Sequence, residues 1–356
     1  MLIYYLTIFF LTGTGIFFQK KGEHFTIPYL AVSFLTLLFL ASFRYAIGFD
    51  YFSYRNIYQS TAHSSIKTIF SSHWREPLFY LLCKISTQIG FSYPIFLWII
   101  QALFLLIIMR FIYRYSHFPW ISIYLFITLQ FFAYSMNLIR QSISVSFFLL
   151  AYPYLKNRKI MPYTLFILLG GLFHNSLFLI WPFYFLLPKQ LSWKSFLFLC
   201  TIIIFSYFFF DPLFALIMPH LTKRYSNYVN SYYWQPNNFS YIILPAIYLF
   251  FVALFKNNIT NPTLRSIYLN SAIYQFFITL FITKHFILER FAIYPFALSL
   301  ITIPEILFSC KKERKHYILL LFLLFGAAYF CFAAIKGFHG VYPYISLLKK
   351  SYTLPN

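Results

Sequence analysis

Long apolar runs follow one another from end to end of the chain, separated by short polar stretches. They cover residues 1–18, 28–43, 94–110, 119–136, 140–155, 195–210, 241–255, 265–283, 290–308 and 316–335. Each run is continuously apolar and does not alternate at period two, so the pattern predicts helices and excludes a strand-built barrel. A helix that crosses the hydrocarbon needs about 20 mostly apolar residues, fewer where flanking side chains snorkel or the bilayer thins. The chain therefore reads as an all-α polytopic integral membrane protein with about ten transmembrane helices, forming one membrane domain over residues 1–356. The first run lacks a charged n-region and an A-x-A cleavage site, which makes it a retained span.

Two segments interrupt the alternation of sides that ten simple crossings would give. Lys and Arg in short loops mark the cytoplasmic side. Their clusters here are Lys20-Lys21, Arg110 with Arg114, Lys156 with Arg158-Lys159, Lys189 with Lys194, Lys256 with Arg265, and Lys311-Lys312 with Arg314-Lys315. All of them fall on one side if residues 77–90 do not cross and residues 161–188, broken by Gly170-Gly171-Leu172-Phe173-His174, enter and return as a hairpin. Irregular backbone at membrane depth persists only where protein or a water-filled cavity covers it. Re-entrant or non-spanning helical segments around an outward-facing cavity are thus expected. The outer side then holds residues 44–77, the turn at 137–141, a second loop at 211–240, the short segment 284–290 and the C-terminal tail. The opposite assignment would place Lys20-Lys21 outside.

Composition fits this class and sharpens the search for chemistry. Of 356 residues 61% are hydrophobic and 10% charged, and the mean hydropathy is +0.70. The 28 Lys and Arg against 7 Asp and Glu give a net charge of +21, but the basic residues sit in short clusters between spans, which points to topology and not to a nucleic-acid partner. The four cysteines have no C-x-x-C spacing and imply neither a disulfide framework nor a metal site. With so few carboxylates, each one demands an explanation.

Two carboxylates, Asp50 and Glu76, fall in the long polar stretch 44–77. Arg44 and Arg55 flank Asp50, Tyr51, Tyr54 and Tyr58 stand nearby, and Gly48 permits a tight turn. The plain reading is a snorkelling Arg and a surface pair; the functional one is that Arg grips phosphate and Tyr stacks on sugar. Arg140-Gln141 sits between two apolar runs, where an ionisable group costs roughly 2.5–3.5 kcal/mol and so implies function or a buried partner. His174 is either a hydrogen-bonded packing residue or an imidazole placed to take a hydroxyl proton. Lys223, Arg224, Tyr225, Tyr228 and Tyr232-Tyr233-Trp234 form either a carbohydrate platform or an interfacial belt. Glu289-Arg290 opens a helix and is either an end-of-helix pair or part of the same cavity. No phosphate-binding loop, dinucleotide fingerprint, nucleophile elbow or H-E-x-x-H is present, so the energy must come from an activated substrate or an ion gradient.

The ordered pieces Arg44-Tyr45-x-x-Gly48-x-Asp50-Tyr51-x-x-Tyr54, Glu76-Pro77-Leu78-Phe79-Tyr80-Leu81-Leu82, Arg140-Gln141-Ser142-Ile143, Phe173-His174-Asn175-Ser176, Glu289-Arg290-Phe291 and Val341-Tyr342-Pro343-Tyr344 resemble the EpsG family of Wzy-like polysaccharide polymerases. The resemblance spans nearly the whole chain, departing at Phe49, where the family usually has a small residue. It implies a multi-pass enzyme of the bacterial inner membrane that makes O-antigen, capsule or exopolysaccharide. Its substrate would be an oligosaccharide linked to undecaprenyl pyrophosphate, moved from one lipid carrier to the next repeat unit at the outer face. On that reading the reaction is a metal-independent glycosyl transfer with no cofactor, in a membrane lipid setting, with a chain-length regulator as a protein partner. Arg140 and Arg290, with Arg44 and Arg224, would hold the pyrophosphate; Asp50 or His174 would be the base; Glu76 and Glu289 would orient the arginines; Tyr51, Tyr54, Arg55, Gln141 and Tyr225 would line the substrate. A transporter of lipid-linked oligosaccharide shares the need for a cationic cavity but should show two pseudo-repeated halves, and none is seen. A polysaccharide–lipid ligase shares the donor chemistry.

Overall fold

The computed structural model describes residues 1–73, 76–212, 234–236 and 238–347. Among these residues there is no strand, only an isolated antiparallel bridge between Arg44 and Ser346. All ten apolar runs become helical, but fewer are long and apolar enough to cross a membrane than the pattern predicts. Among the described residues five qualify by length and composition: Leu2–Lys21, Glu23–Ser42, Tyr93–Tyr115, Phe239–Asn258 and Lys312–Ile335. Two bent pairs raise the number to seven, Pro119–Thr128 with Phe131–Asn137 (52°) and Phe286–Phe296 with Ser299–Ser309 (43°).

The shortfall from ten has identifiable causes. Trp193–Phe208 has 16 residues and is therefore only about 24 Å long. Ile139–Lys156 and Pro262–Ile282 have the length but carry an inward polar stripe. In the first, Gln141, Ser142, Ser144 and Ser146 are all buried, and in the second Ser266, Asn270, Ser271, Gln275 and Thr279 are. Polar groups satisfied inside the protein lower a helix's hydropathy without being exposed to lipid.

The chain packs as two compact units, Met1–Tyr154 with Lys159–Trp181 and Leu300–Asn356, and Leu155–Arg158 with Pro182–Ser299. In the first, α1 (Leu2–Lys21) and Lys312–Ile335 pack on α7 (Pro119–Thr128), and α2 (Thr26–Ser42) packs along α6 (Tyr93–Tyr115). The polar stretch after α2 is not an open loop. It folds into α3 (Tyr51–His63), α4 (Ile66–Ser72) and, beyond residues 74 and 75, α5 (Pro77–Gln88). Lys84 Nζ donates to Ala62 O at 2.7 Å, holding α5 along α3. At 12 residues, α5 is about 18 Å long, too short to cross, as the charge clusters require of residues 77–90.

After α8 (Phe131–Asn137) and α9 (Ile139–Lys156) the chain turns back on itself within the stretch 161–188. It runs out along α10 (Ile160–Gly171) and returns through the 3-10 segment Asn175–Ile180. Tyr163 OH donates to Ile180 O at 3.1 Å and Trp181 Nε1 to Thr164 Oγ1 at 2.9 Å, so the returning limb of the hairpin ends level with the start of α10. Gly170 and Gly171 make the close return possible. A Cβ on Gly170 would lie 2.5 Å from Leu177 Cδ2 and from Phe147 Cβ, and one on Gly171 would lie 2.2 Å from Phe178 Cε1.

In the second unit Pro262–Ile282 packs between Ile243–Phe255 and Glu289–Phe296. Asn270 Nδ2, on the buried stripe, donates to the carbonyls of Leu187 (2.9 Å) and Lys189 (2.7 Å), satisfying the end of the short helix Phe183–Leu186.

Candidate functional site

The loop that leaves α2 is fixed on two sides. Gly48 has φ +99°, and a Cβ there would lie 3.1 Å from Met136 O and 3.2 Å from Asn137 Cα. The approach is that close because Asn137 Oδ1 accepts the backbone N–H of Asp50 at 3.0 Å, three residues before Arg140. From the other side the C-terminal segment clasps the loop. Tyr45 N–H donates to Ile345 O at 2.9 Å, Leu347 N–H to Phe43 O at 2.7 Å and Gly48 N–H to Gly340 O at 2.9 Å. Tyr344 OH reaches Leu40 O at 2.9 Å, which ties the Val341–Tyr344 motif to the end of α2.

Glu76 is the centre of this region. It stands immediately before α5, with Pro77 in the first turn, where the helix dipole favours a negative charge. Its side chain is 3% exposed. Oε2 accepts Arg140 Nη1 at 2.6 Å, Oε1 lies 2.8 Å from His174 Nδ1, and Oε1 also accepts the backbone N–H of Asn175 at 3.4 Å. A buried carboxylate needs this many partners, since an unpaired one would shed its charge. The hairpin tip that presents His174 is itself tied down. Leu78 N–H donates to Leu172 O at 3.3 Å, and Ser144 Oγ on α9 bonds Gly170 O at 3.0 Å and His174 O at 3.3 Å. Three separate elements, the start of α5, the start of α9 and the hairpin tip, thus converge on one carboxylate.

Tyr54 and Phe79 complete the surroundings, their ring centres 5.5 and 5.7 Å from the Arg140 guanidinium carbon. Burial raises the Tyr54 phenol above its ordinary pKa, with the Arg140 charge working against that rise. Tyr54 is one turn along α3 from Asp50, which places the half-buried Asp50 beside the same cluster. With Glu76 Oε1 2.8 Å from Nδ1, a proton on that nitrogen is the tautomer the carboxylate favours, and Nε2 is then the ring nitrogen suited to act as a base. Arg140 is the most accessible of the three, at 19% side-chain exposure against 9% for His174.

The other residues singled out in the sequence lie as follows. Arg44 is 2% exposed, donates from Nη1 to Ala41 O at 2.8 Å and is surrounded by Tyr4, Tyr51, Tyr93 and Tyr344; burial lowers its pKa, and the phenols oppose that. Tyr51, Tyr54 and Tyr58 belong to a buried aromatic cluster with Phe79, Tyr93 and Phe96, so their ring faces are covered by protein. Gln141 is buried and Arg55 half-buried. Glu289 and Arg290 open the helix Glu289–Phe296 of the second unit. Arg224 and Tyr225 lie outside the described residues. A cavity of about 140 Å³ opens at the far end of α9, beside Arg110 and Arg114.

Sequence reasoning missed one constellation, in the second unit. Asp211 Oδ1 lies 2.6 Å from His285 Nε2, Lys284 Nζ donates to Asp211 Oδ2 at 2.9 Å, and His285 Nδ1 lies 2.8 Å from Trp234 O. Burial alone would raise the Asp211 carboxyl, but the bonds from Lys284 and His285 outweigh it and hold it below the ordinary carboxylate value. The only signal was the scarcity of acidic residues, which marks Asp211 as it marks Asp50. Asn137 and Asn175, which position Asp50 and Glu76, were visible only as neighbours of Arg140 and His174.

Five of the six ordered sequence pieces therefore meet in the first unit. No curated protein and no solved structure matches this chain. A model of the EpsG family matches residues 27–346, nearly the whole chain, and with that match the protein belongs to the EpsG family of Wzy-like polysaccharide polymerases.

Proposed function

We propose that this protein polymerises oligosaccharide repeat units linked to undecaprenyl pyrophosphate, at the outer face of a bacterial inner membrane. Support comes from the family match together with one observation, the joining of Arg140 and His174 through Glu76. In the proposed reaction a hydroxyl oxygen of the acceptor repeat attacks the anomeric carbon of the donor. The bond from that carbon to the pyrophosphate oxygen breaks, and its electron pair stays on the pyrophosphate. His174 Nε2 takes the hydroxyl proton, and Glu76 stabilises the imidazolium that forms. Arg140, partly accessible, offers its remaining N–H groups to the charge developing on the leaving group. The Glu76 contact favours His174 over Asp50 as the base, with Asp50 left to orient the acceptor.

Arg290, Glu289, Arg224 and Tyr225 enter the proposal as further donor contacts. So do the ten-crossing topology, with α5 and the hairpin as its non-crossing segments, and the outward cavity. Metal independence belongs to the same reading and is checked by activity in the presence of a chelator. Deletion of the gene, followed by size analysis of the surface polysaccharide, tests the function. A polymerase deletion leaves single capped repeats at the surface. Lipid-linked repeats trapped on the inner side would instead indicate a transporter, and unattached polymer a ligase.

A further inference from the structure

We infer a second site, an anionic-phospholipid headgroup site at the end of α9 opposite Glu76. Counting from Arg140 to Pro153 along α9, the two places are about 20 Å apart. The cavity there is lined by Arg110, Arg114 and Tyr115 of α6, by Leu150 and Tyr154 of α9, and by Phe166 of α10. Arg110 and Arg114 are one turn apart, both exposed, and among the described residues neither has a hydrogen-bond or ion-pair partner. Two guanidiniums at this spacing repel each other along the helix, and an anion between them relieves that repulsion.

The α6 surface says which anion. Leu103 and Leu106 are each 52% exposed, and Arg110 continues their face at helical spacing, with Tyr113 (52% exposed) beyond it. An exposed apolar stripe that ends in arginines and a tyrosine, on a helix long and apolar enough to cross a membrane, matches a lipid lying lengthwise. The acyl chain covers Leu103 and Leu106, the phosphate meets both arginines, and Tyr154 and Phe166, stacked at 5.6 Å, wall the far side. The carbonyl ends of α6 and α9 also approach this end, so the backbone there repels an anion and the two side chains must supply the attraction. The shared chemistry is a phosphate, and the stripe commits the site to a phosphate that carries an acyl chain.

Phosphatidylglycerol retention by the full-length purified protein, measured by native mass spectrometry from micelles titrated with that lipid, tests the site. Arg110→Gln with Arg114→Gln should weaken retention on the order of 10- to 30-fold, from the ordinary worth of two basic residues at a charged lipid surface. Phosphatidylcholine should bind wild type and variant alike. Arg110→Lys with Arg114→Lys, which keeps charge but loses the planar fork, should fall between. Equal phosphatidylglycerol retention in wild type and the Gln pair overturns the inference. So does inorganic phosphate displacing the lipid at equal concentration, which would make the site one for free phosphate. Since retention is read without turnover, its failure leaves the polymerase reading untouched.

Discussion

The Glu76 carboxylate oxygen Oε1 stands 2.8 Å from His174 Nδ1 while its other oxygen is held by Arg140 at 2.6 Å. A carboxylate from a polar segment and an imidazole from the tip of an apolar hairpin are thus brought into one buried contact, and removing the carboxylate strands both partners. Glu76→Ala should cost on the order of 3–5 kcal/mol, read as lowered thermal stability of the purified protein in detergent, and Glu76→Gln should recover part of it. Unchanged unfolding in Glu76→Ala would mean that the contact does not contribute to the fold.

The hairpin return sets where His174 sits. Gly170→Val places a side chain within 2.5 Å of both Phe147 and Leu177, so the tip must shift. Polymer formation should fall about 100-fold, the usual scale for a displacement of about 1 Å at a reacting group, while a fluorescent-tag assay shows normal protein level. Polymer at wild-type level would show that His174 needs no such precise placement.

Gly48 is tested through its backbone. At φ +99°, with Met136 O 3.1 Å from any Cβ, Gly48→Ala should destabilise by about 1–2 kcal/mol and loosen the Asp50 loop from Asn137. Faster proteolysis within residues 44–50 is the expected readout; an unchanged cleavage pattern would contradict it.

The Asp211 cluster predicts a pH dependence of defined sign. The Asp211 carboxyl is held below its ordinary value of 3.8, so it binds fewer protons folded than unfolded. Its contribution is complete above that ordinary value and is lost as pH falls through the lower folded one. Asp211 is 55% exposed, so the effect is screened and modest. Thermal stability should drop less steeply below about pH 4 in Asp211→Asn than in wild type, and parallel curves would remove Asp211 from the account.

Helix placement was largely legible in the sequence because continuous apolar runs leave the backbone no other way to satisfy its hydrogen bonds in lipid. The number of crossings was not. Run length alone cannot show that the Ser144 side of α9 and the Asn270 side of Pro262–Ile282 turn inward, or that the run through residues 119–136 bends at Gln130, which adopts φ +70°. The site was legible through rarity and order. Glu76 stood out as one of seven acids, and the Gly170-Gly171 break pointed to His174. What stayed hidden was the pairing, since nothing local says that Glu76 takes both Arg140 and His174, or that Tyr51, Tyr54 and Tyr58 pack together and leave no face open.

Turnover of lipid-linked repeats by the purified His174→Ala protein, reconstituted in lipid and compared with wild type and Asp50→Asn, tests the central claim most directly. With His174 as the base, His174→Ala should lose about 10²- to 10⁴-fold in kcat per folded molecule, a larger loss than its lowered thermal stability accounts for, and Asp50→Asn should lose less. Polymerisation by His174→Ala within a few-fold of wild type, with Asp50→Asn inactive, would contradict it and move the base to Asp50.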